Sequence, residues 1–179
     1  TENYNGTSWS EVNNLNTARG AGGSGGTTNT AALYFGGYTG SNVTSNELWN
    51  GYVWTEVNDL NTARRVIKGA GTSTSALGFS GYTTANVALT ESWNGSNWTE
   101  VGDLNTARRS VGGCGASNTS ALCAGGYTTA SVANVESWNG SAWTEVNDLN
   151  KGRASLTMAG IATASIALGG RDPDSNMPF

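Results

Sequence analysis

Apolar residues along this chain fall in short runs between polar, glycine-rich segments, not in the long one-sided stripes of amphipathic helices. The runs are rich in Val, Thr, Trp and small residues, which favour strands over helices of ten or more residues. Between residues 109 and 146 they predict four strands, Arg109 to Gly115, Ser120 to Gly126, Ala133 to Trp138 and Ser141 to Val146. Asn139-Gly140 joins the last two, and Asn-Gly between alternating runs is a strong hairpin signal, because both central residues of a type I′ turn take positive φ. Pairing outward from a two-residue turn sets Trp138 opposite Ser141 and Glu136 opposite Trp143. Both tryptophans then share one face, with Val135, Thr144 and Val146 on the other. A sheet with buriable groups on both faces needs neighbours on both sides.

The pattern recurs. Asn-Gly stands at Asn5-Gly6, Asn50-Gly51, Asn94-Gly95 and Asn139-Gly140, at steps of 45, 44 and 45 residues. The same register recovers Trp9, Trp54, Trp98 and Trp143, then Arg19, Arg64, Arg108 and Arg153, then Leu33, Leu77, Leu122 and Ile166. Self-similarity at this period predicts blades or a solenoid, in which each unit depends on its neighbours to cover its apolar faces.

Composition narrows the chemistry. The 179 residues fit one domain large enough to hold a core without metal or disulfide staples. Net charge is -4 and only 12% of residues are charged, which is no footprint for a nucleic-acid backbone or an anionic membrane. No apolar run approaches the ~20 residues of a membrane span and no leader-like segment opens the sequence, so a soluble product without membrane insertion is expected. There is no histidine, and Cys114 and Cys123 are the only cysteines. That removes Ser-His-Asp and Cys-His catalysis, histidine-based metal sites and four-cysteine zinc sites, and leaves no cofactor or metal expected.

The run Ala124-Gly125-Gly126-Tyr127, followed by Val135-Glu136-Ser137-Trp138, Trp143 and an arginine opening the next unit, resembles the kelch motif. Di-glycine recurs at Gly36-Gly37 and Gly169-Gly170 and is altered to Ser80-Gly81 in one unit. The units are shorter than the ~50 residues of kelch repeats. The wording Ser-Trp-Asn-Gly-Ser-X-Trp-Thr-Glu-Val-Asn-Asp-Leu-Asn-Thr-Ala-Arg is also similar to kelch-like repeats of tail-associated proteins of marine bacteriophages. The resemblance implies an all-β, four-bladed β-propeller. Its blades would span residues 14–57, 58–102, 103–147 and 148–179. In repeat register residues 1–13 supply the two strands that the last unit lacks, so the ring is expected to close by sharing that blade between the two ends, removing exposed sheet edges. The competing arrangement is an open set of blades that closes or stacks between chains.

Several residue series are candidates for function. Eight glutamates form two series, Glu2, Glu47, Glu91 and Glu136, and Glu11, Glu56, Glu100 and Glu145. Paired carboxylates suit glycoside hydrolysis, but a fourfold series suits structural pairing better than one asymmetric catalytic centre, and no enzyme is expected. Arg19, Arg64, Arg108 and Arg153 open the first strands, and Asp59, Asp103 and Asp148 lie five residues before three of them. Two readings stand: a ring of charges that binds a ligand at one mouth of the channel, or bidentate clamps on loop carboxylates and carbonyls. The loops after the di-glycine carry Tyr38, Tyr82 and Tyr127 on the same face, in the aromatic, hydroxyl and amide company of a sugar or protein contact surface. Cys114 and Cys123 flank one inner turn, where mirror pairing permits a cross-strand disulfide, and two buried thiols are the other reading. The expectation for function is a binding module on a virion or outside a cell, contacting a host-surface glycan or protein, or other virion or fibre subunits as an assembly element. A glycan-processing enzyme is the third reading.

Overall fold

Residues 1–172 are described in this computed structural model, so residues 173–179 of the last repeat unit lie outside it. The described chain is all-β, with sixteen strands and no helix. The first pair is β1 (Glu2–Tyr4) and β2 (Trp9–Glu11). Three complete four-stranded antiparallel sheets follow. The first joins β3 (Gly23–Thr28), β4 (Ala31–Phe35), β5 (Asn46–Trp49) and β6 (Trp54–Val57). The second joins β7 (Lys68–Gly71), β8 (Ala76–Phe79), β9 (Thr90–Trp93) and β10 (Trp98–Glu100). The third joins β11 (Gly112–Ser117), β12 (Ser120–Ala124), β13 (Val135–Trp138) and β14 (Trp143–Val146). The last pair is β15 (Thr157–Ile161) and β16 (Ala164–Leu168). Within each complete sheet the strands neighbour one another in chain order, as in a blade.

The outer hairpin differs from expectation by one pleat. Trp138 pairs with Trp143 and Glu136 with Glu145, instead of Ser141 and Trp143. The cause is the turn. Asn139 Oδ1 accepts hydrogen bonds from the backbone N–H of Ser141 and Ala142, and Asn139 N–H donates to the Ala142 carbonyl, so the link is four residues long. Gly140 takes φ +95 and Asn139 does not take positive φ, so this is an Asx-type turn and not type I′. Because the slip is two residues, the tryptophans keep their shared face. The first strand of this unit also begins at Gly112, not at Arg109. Ser110, at φ +57, turns the chain just before it.

The core lies between sheets. Phe35 of the first blade meets Trp98 of the second edge-on at 4.6 Å, and Phe79 of the second meets Trp143 of the third at 5.1 Å. One apolar cluster joins Leu33, Phe35, Ile67, Trp93 and Trp98, and the next joins Leu77, Phe79, Val111, Trp138 and Trp143. Each blade thus covers its neighbour, as a repeat with two apolar faces requires. Within a blade, Trp49, Trp93 and Trp138 donate from Nε1 to the carbonyls of Asn29, Ser73 and Asn118 in the inner turn. The inner strands β3, β7, β11 and β15 pack in succession. They line a cavity of about 370 Å³ walled by Ser24, Gly69, Gly113, Cys114 and Gly160.

The two ends are not joined in one sheet. Among the described residues β1–β2 and β15–β16 stand as separate two-stranded sheets, so the expected sharing of the last blade is not formed. The first hairpin is instead fastened to the first blade. Asn29 Nδ2 donates to Asn3 Oδ1 and the Tyr4 carbonyl, and Trp54 Nε1 donates to Thr1 Oγ1. These contacts repeat those of Asn118 with Ser92 and Trp93, and of Trp143 with Thr90, between the second and third blades. The hairpin therefore occupies the place of the outer half of a preceding blade.

Candidate functional site

The arginine series is turned inward. Arg64 donates from Nη1 to Glu91 Oε1, from Nε to the Ser80 carbonyl and from Nη2 to the Gly78 carbonyl. Glu91 Oε2 accepts from the backbone and side-chain amides of Asn61. Arg19 with Glu47 and Arg108 with Glu136 repeat the clamp, and both side chains of each pair are buried. For Glu47, burial raises the carboxyl pKa, but Arg19 and the backbone N–H groups of Asn16 and Thr17 outweigh it and hold the pKa below its ordinary 4.5. The stability it contributes is therefore present above that value and is lost as pH falls through the lowered pKa. Arg153 has no such carboxylate among the described residues. It donates from Nη1 to the Gly169 carbonyl.

Asp59, Asp103 and Asp148 sit at exposed loops, each accepting through Oδ1 the first backbone N–H of a third strand, at Asn46, Thr90 and Val135. Asp59 Oδ2 also accepts from Thr44. Their geometry is that of strand caps. Each glutamate that closes a clamp faces an exposed one across the outer hairpin: Glu47 with Glu56, Glu91 with Glu100 and Glu136 with Glu145. One member of each pair is thus committed to an arginine.

Cys114 and Cys123 are both buried and free. Cys123 pairs with Gly113 and Cys114 with Leu122, one residue out of the mirror register, so the two thiols fall on opposite faces of the hairpin and form no disulfide. An irregularity between Gly115 and Ser117 near the turn makes the offset. Burial pushes the Cys123 thiol up to about 11, further than neighbouring Arg108 draws it down. Burial likewise raises the Cys114 thiol, against a hydrogen bond with Ser165 and the charge of Lys68. No three His, Cys, Asp or Glu side chains come together among the described residues as a metal site requires.

The tyrosines form the arrangement that sequence reading missed. Tyr38, Tyr82 and Tyr127 each bridge back to the strand start of their own unit, at Gly20, Arg65 and Arg109. Arg65 lies 4.6 Å from the Tyr38 ring and 4.9 Å from the Tyr82 ring, and Arg109 lies 5.0 Å from Tyr82 and 4.8 Å from Tyr127. The result is a ladder, Tyr38–Arg65–Tyr82–Arg109–Tyr127, crossing two blade junctions by cation–π stacking. Asn42 and Asn86 hold the rungs. Their Oδ1 atoms accept from Arg65 and Arg109, and their Nδ2 groups donate to carbonyls at Tyr82 and Tyr127 of the next blade. The available signal was the arginine doublet, present at Arg64-Arg65 and Arg108-Arg109 but replaced by Arg19-Gly20 and Arg153-Ala154.

Those replacements matter at the third junction. Ala154 bridges to Arg171 where Arg109 bridges to Tyr127, and Ser131 stands where Asn86 stands. With the arginine rung absent, a cavity of about 450 Å³ opens beside the Tyr127 ring. Arg109, Ser110, Thr129, Ala130, Ser131, Ala154, Ser155, Arg171 and Asp172 complete its wall. It presents an aromatic ring, hydroxyls, two guanidinium groups and the carboxylate of Asp172 in one concavity. No protein-family model matches the chain, and a search of curated proteins finds no match.

Proposed function

We propose that this chain is a non-catalytic binding module of kelch-like propeller type, displayed on a virion or outside a cell, which contacts a host-surface glycan or protein through its long-loop face. The observation that carries this reading is the cavity at the interrupted end of the tyrosine–arginine ladder. Its volume lies in the range of small-ligand sites, and its lining combines an aromatic platform with a few fixed polar groups. Tyr82 lies between Arg65 of its own blade and Arg109 of the next, whereas Tyr127 meets Arg109 of its own blade and borders the cavity. The low charge and the rigid repeat scaffold suit an exposed surface. The likeness to phage tail-associated repeats supports the setting.

The test is glycan-array binding followed by titration calorimetry on any hit. Tyr127→Ala is expected to weaken binding by about tenfold or more, as loss of a central aromatic anchor does. Ala154→Arg, which restores the missing rung, is expected to abolish binding by filling the cavity. Tyr38→Ala, at the far end of the ladder, is expected to leave it unchanged. Absence of binding to any glycan or host-surface protein, or binding indifferent to both cavity variants, rejects the proposal. The alternative, an assembly element, is favoured by a separate observation, the two-stranded sheets β1–β2 and β15–β16 that stand apart among the described residues.

A further inference from the structure

Each complete blade has one arginine from the strand start and one glutamate from the third strand, and the two meet in the sheet interior: Arg19 with Glu47, Arg64 with Glu91, Arg108 with Glu136. Arg153 occupies the same place in the last unit. Its Nη1 reaches the di-glycine carbonyl of Gly169, its Nε, like that of Arg108, is buried without a hydrogen-bond partner, and among the described residues no carboxylate closes the clamp. Arg153 is half-buried, and its guanidinium lacks the counter-charge that the other three arginines have. The strand that would supply the counter-charge is the one missing beside β16. Among the described residues β16 has no partner on its outer edge, and Ile166 and Leu168 are 57% and 43% exposed.

The chain holds one more copy of that third strand. In repeat register β1 corresponds to β5, β9 and β13, and Glu2 stands where Glu47, Glu91 and Glu136 stand. Glu2 is exposed, β1 pairs only with β2, and Tyr4 and Trp9 are exposed by 45% and 66% although their counterparts Trp93 and Trp98 are buried. We propose that the β1–β2 hairpin of a second copy of this chain adds to the free edge of β16, and that its Glu2 closes the clamp on Arg153. The register follows from the third blade, where Ala121, Leu122, Cys123 and Ala124 pair with Trp138, Ser137, Glu136 and Val135. Transferred by repeat position, Ser165 pairs with Tyr4, Ile166 with Asn3, Ala167 with Glu2 and Leu168 with Thr1. Asn150, at the place of Asn61 and Asn105, then gives its amide to the same carboxylate.

A second copy fits better than the chain's own hairpin. In one molecule β15 does not pack on β3 as each inner strand packs on the next, although the hairpin is seated on the first blade. A neighbouring copy can bring its β15–β16 to that hairpin without unseating it, and β15 of one copy then lies beside β3 of the other as β11 lies beside β7. Strand addition supplies main-chain hydrogen bonds, and the buried Glu–Arg pair supplies register. The contact joins two different surfaces, so each copy gives one hairpin and receives one. This inference does not rest on ligand binding at the loop face and is tested without a glycan.

The experiment is sedimentation velocity on the 179-residue chain over a wide concentration range. The wild type is expected to be oligomeric. Glu2→Arg and Arg153→Glu are each expected to raise the dissociation constant by about tenfold or more, and the chain carrying both is expected to recover assembly because the charges are exchanged across the contact. Recovery in the double variant also excludes misfolding as the cause of loss in the single ones. As a second measurement, Asn3→Cys chains mixed with Ile166→Cys chains are expected to form a disulfide between the two species on oxidation. A wild type that stays monomeric, oligomers indifferent to both charge reversals, or a chain with both cysteines that links only to itself would overturn the inference.

Discussion

Arg64 shows why a charged residue sits in the middle of a β-sheet stack. Its guanidinium is fully buried and yet has a carboxylate and three carbonyls within reach, so the charge loses water without losing partners. Removing one member of such a pair strands the other. Arg64→Met is therefore expected to lower stability by about 3–5 kcal/mol, read from urea unfolding followed by tryptophan fluorescence. A loss below about 1 kcal/mol would mean that the clamp is solvated and unimportant. From the sequence the arginine series was open to two readings, because spacing places a residue in a loop or strand but does not say whether its side chain turns to the channel or into the sheet. The tyrosine series was read as part of the long-loop face. Its arginine partners were overlooked because Arg65 and Arg109 belong to only two of four units, and a repeat search looks past residues that are not repeated.

Strands and turns were legible to different degrees. Strand number and order follow from short β-forming runs at a fixed period, and the shared face of the tryptophans follows from alternation alone. The turn did not: whether Asn-Gly forms a two-residue or a four-residue link depends on the Asn139 side chain reaching Ser141 and Ala142, and propensity does not decide that. The offset between Cys114 and Cys123 has a similar local origin. Inner strands bring a tighter constraint, since a Cβ at Gly69 would lie 2.1 Å from the Ser24 carbonyl oxygen of the neighbouring blade. Backbone cannot yield there without separating β7 from β3. Gly69→Ala is expected to destabilise by ~1–3 kcal/mol or more through overpacking, whereas Gly102→Ala, with its nearest atom at 3.0 Å in an outer loop, is expected to have a smaller effect. Thermal melts of the two variants side by side check this, and equal shifts would refute the close-approach argument.

Stability along the molecule follows the same nearest-neighbour logic. The second blade is covered on both sides, whereas β15–β16 has a neighbouring blade on one side and exposed apolar side chains on its strands. In a monomeric preparation, hydrogen exchange is expected to be slowest in β7, β8, β11 and β12 and fastest in β1, β2, β15 and β16. Uniform protection across all sixteen strands would argue for one cooperative ring. By itself the sequence determined the number of units, their length, the strand-rich character and the pairing of faces, because these depend on local propensity and on periodicity, which any stretch of chain carries within itself. Only the tertiary structure decided that the arginines clamp glutamates 27 or 28 residues away, that a rung is missing beside Tyr127, and that the two terminal sheets of the described residues remain apart. Those outcomes depend on how one blade leans on the next, and the angle between sheets is set by side chains meeting across distances that no local pattern records.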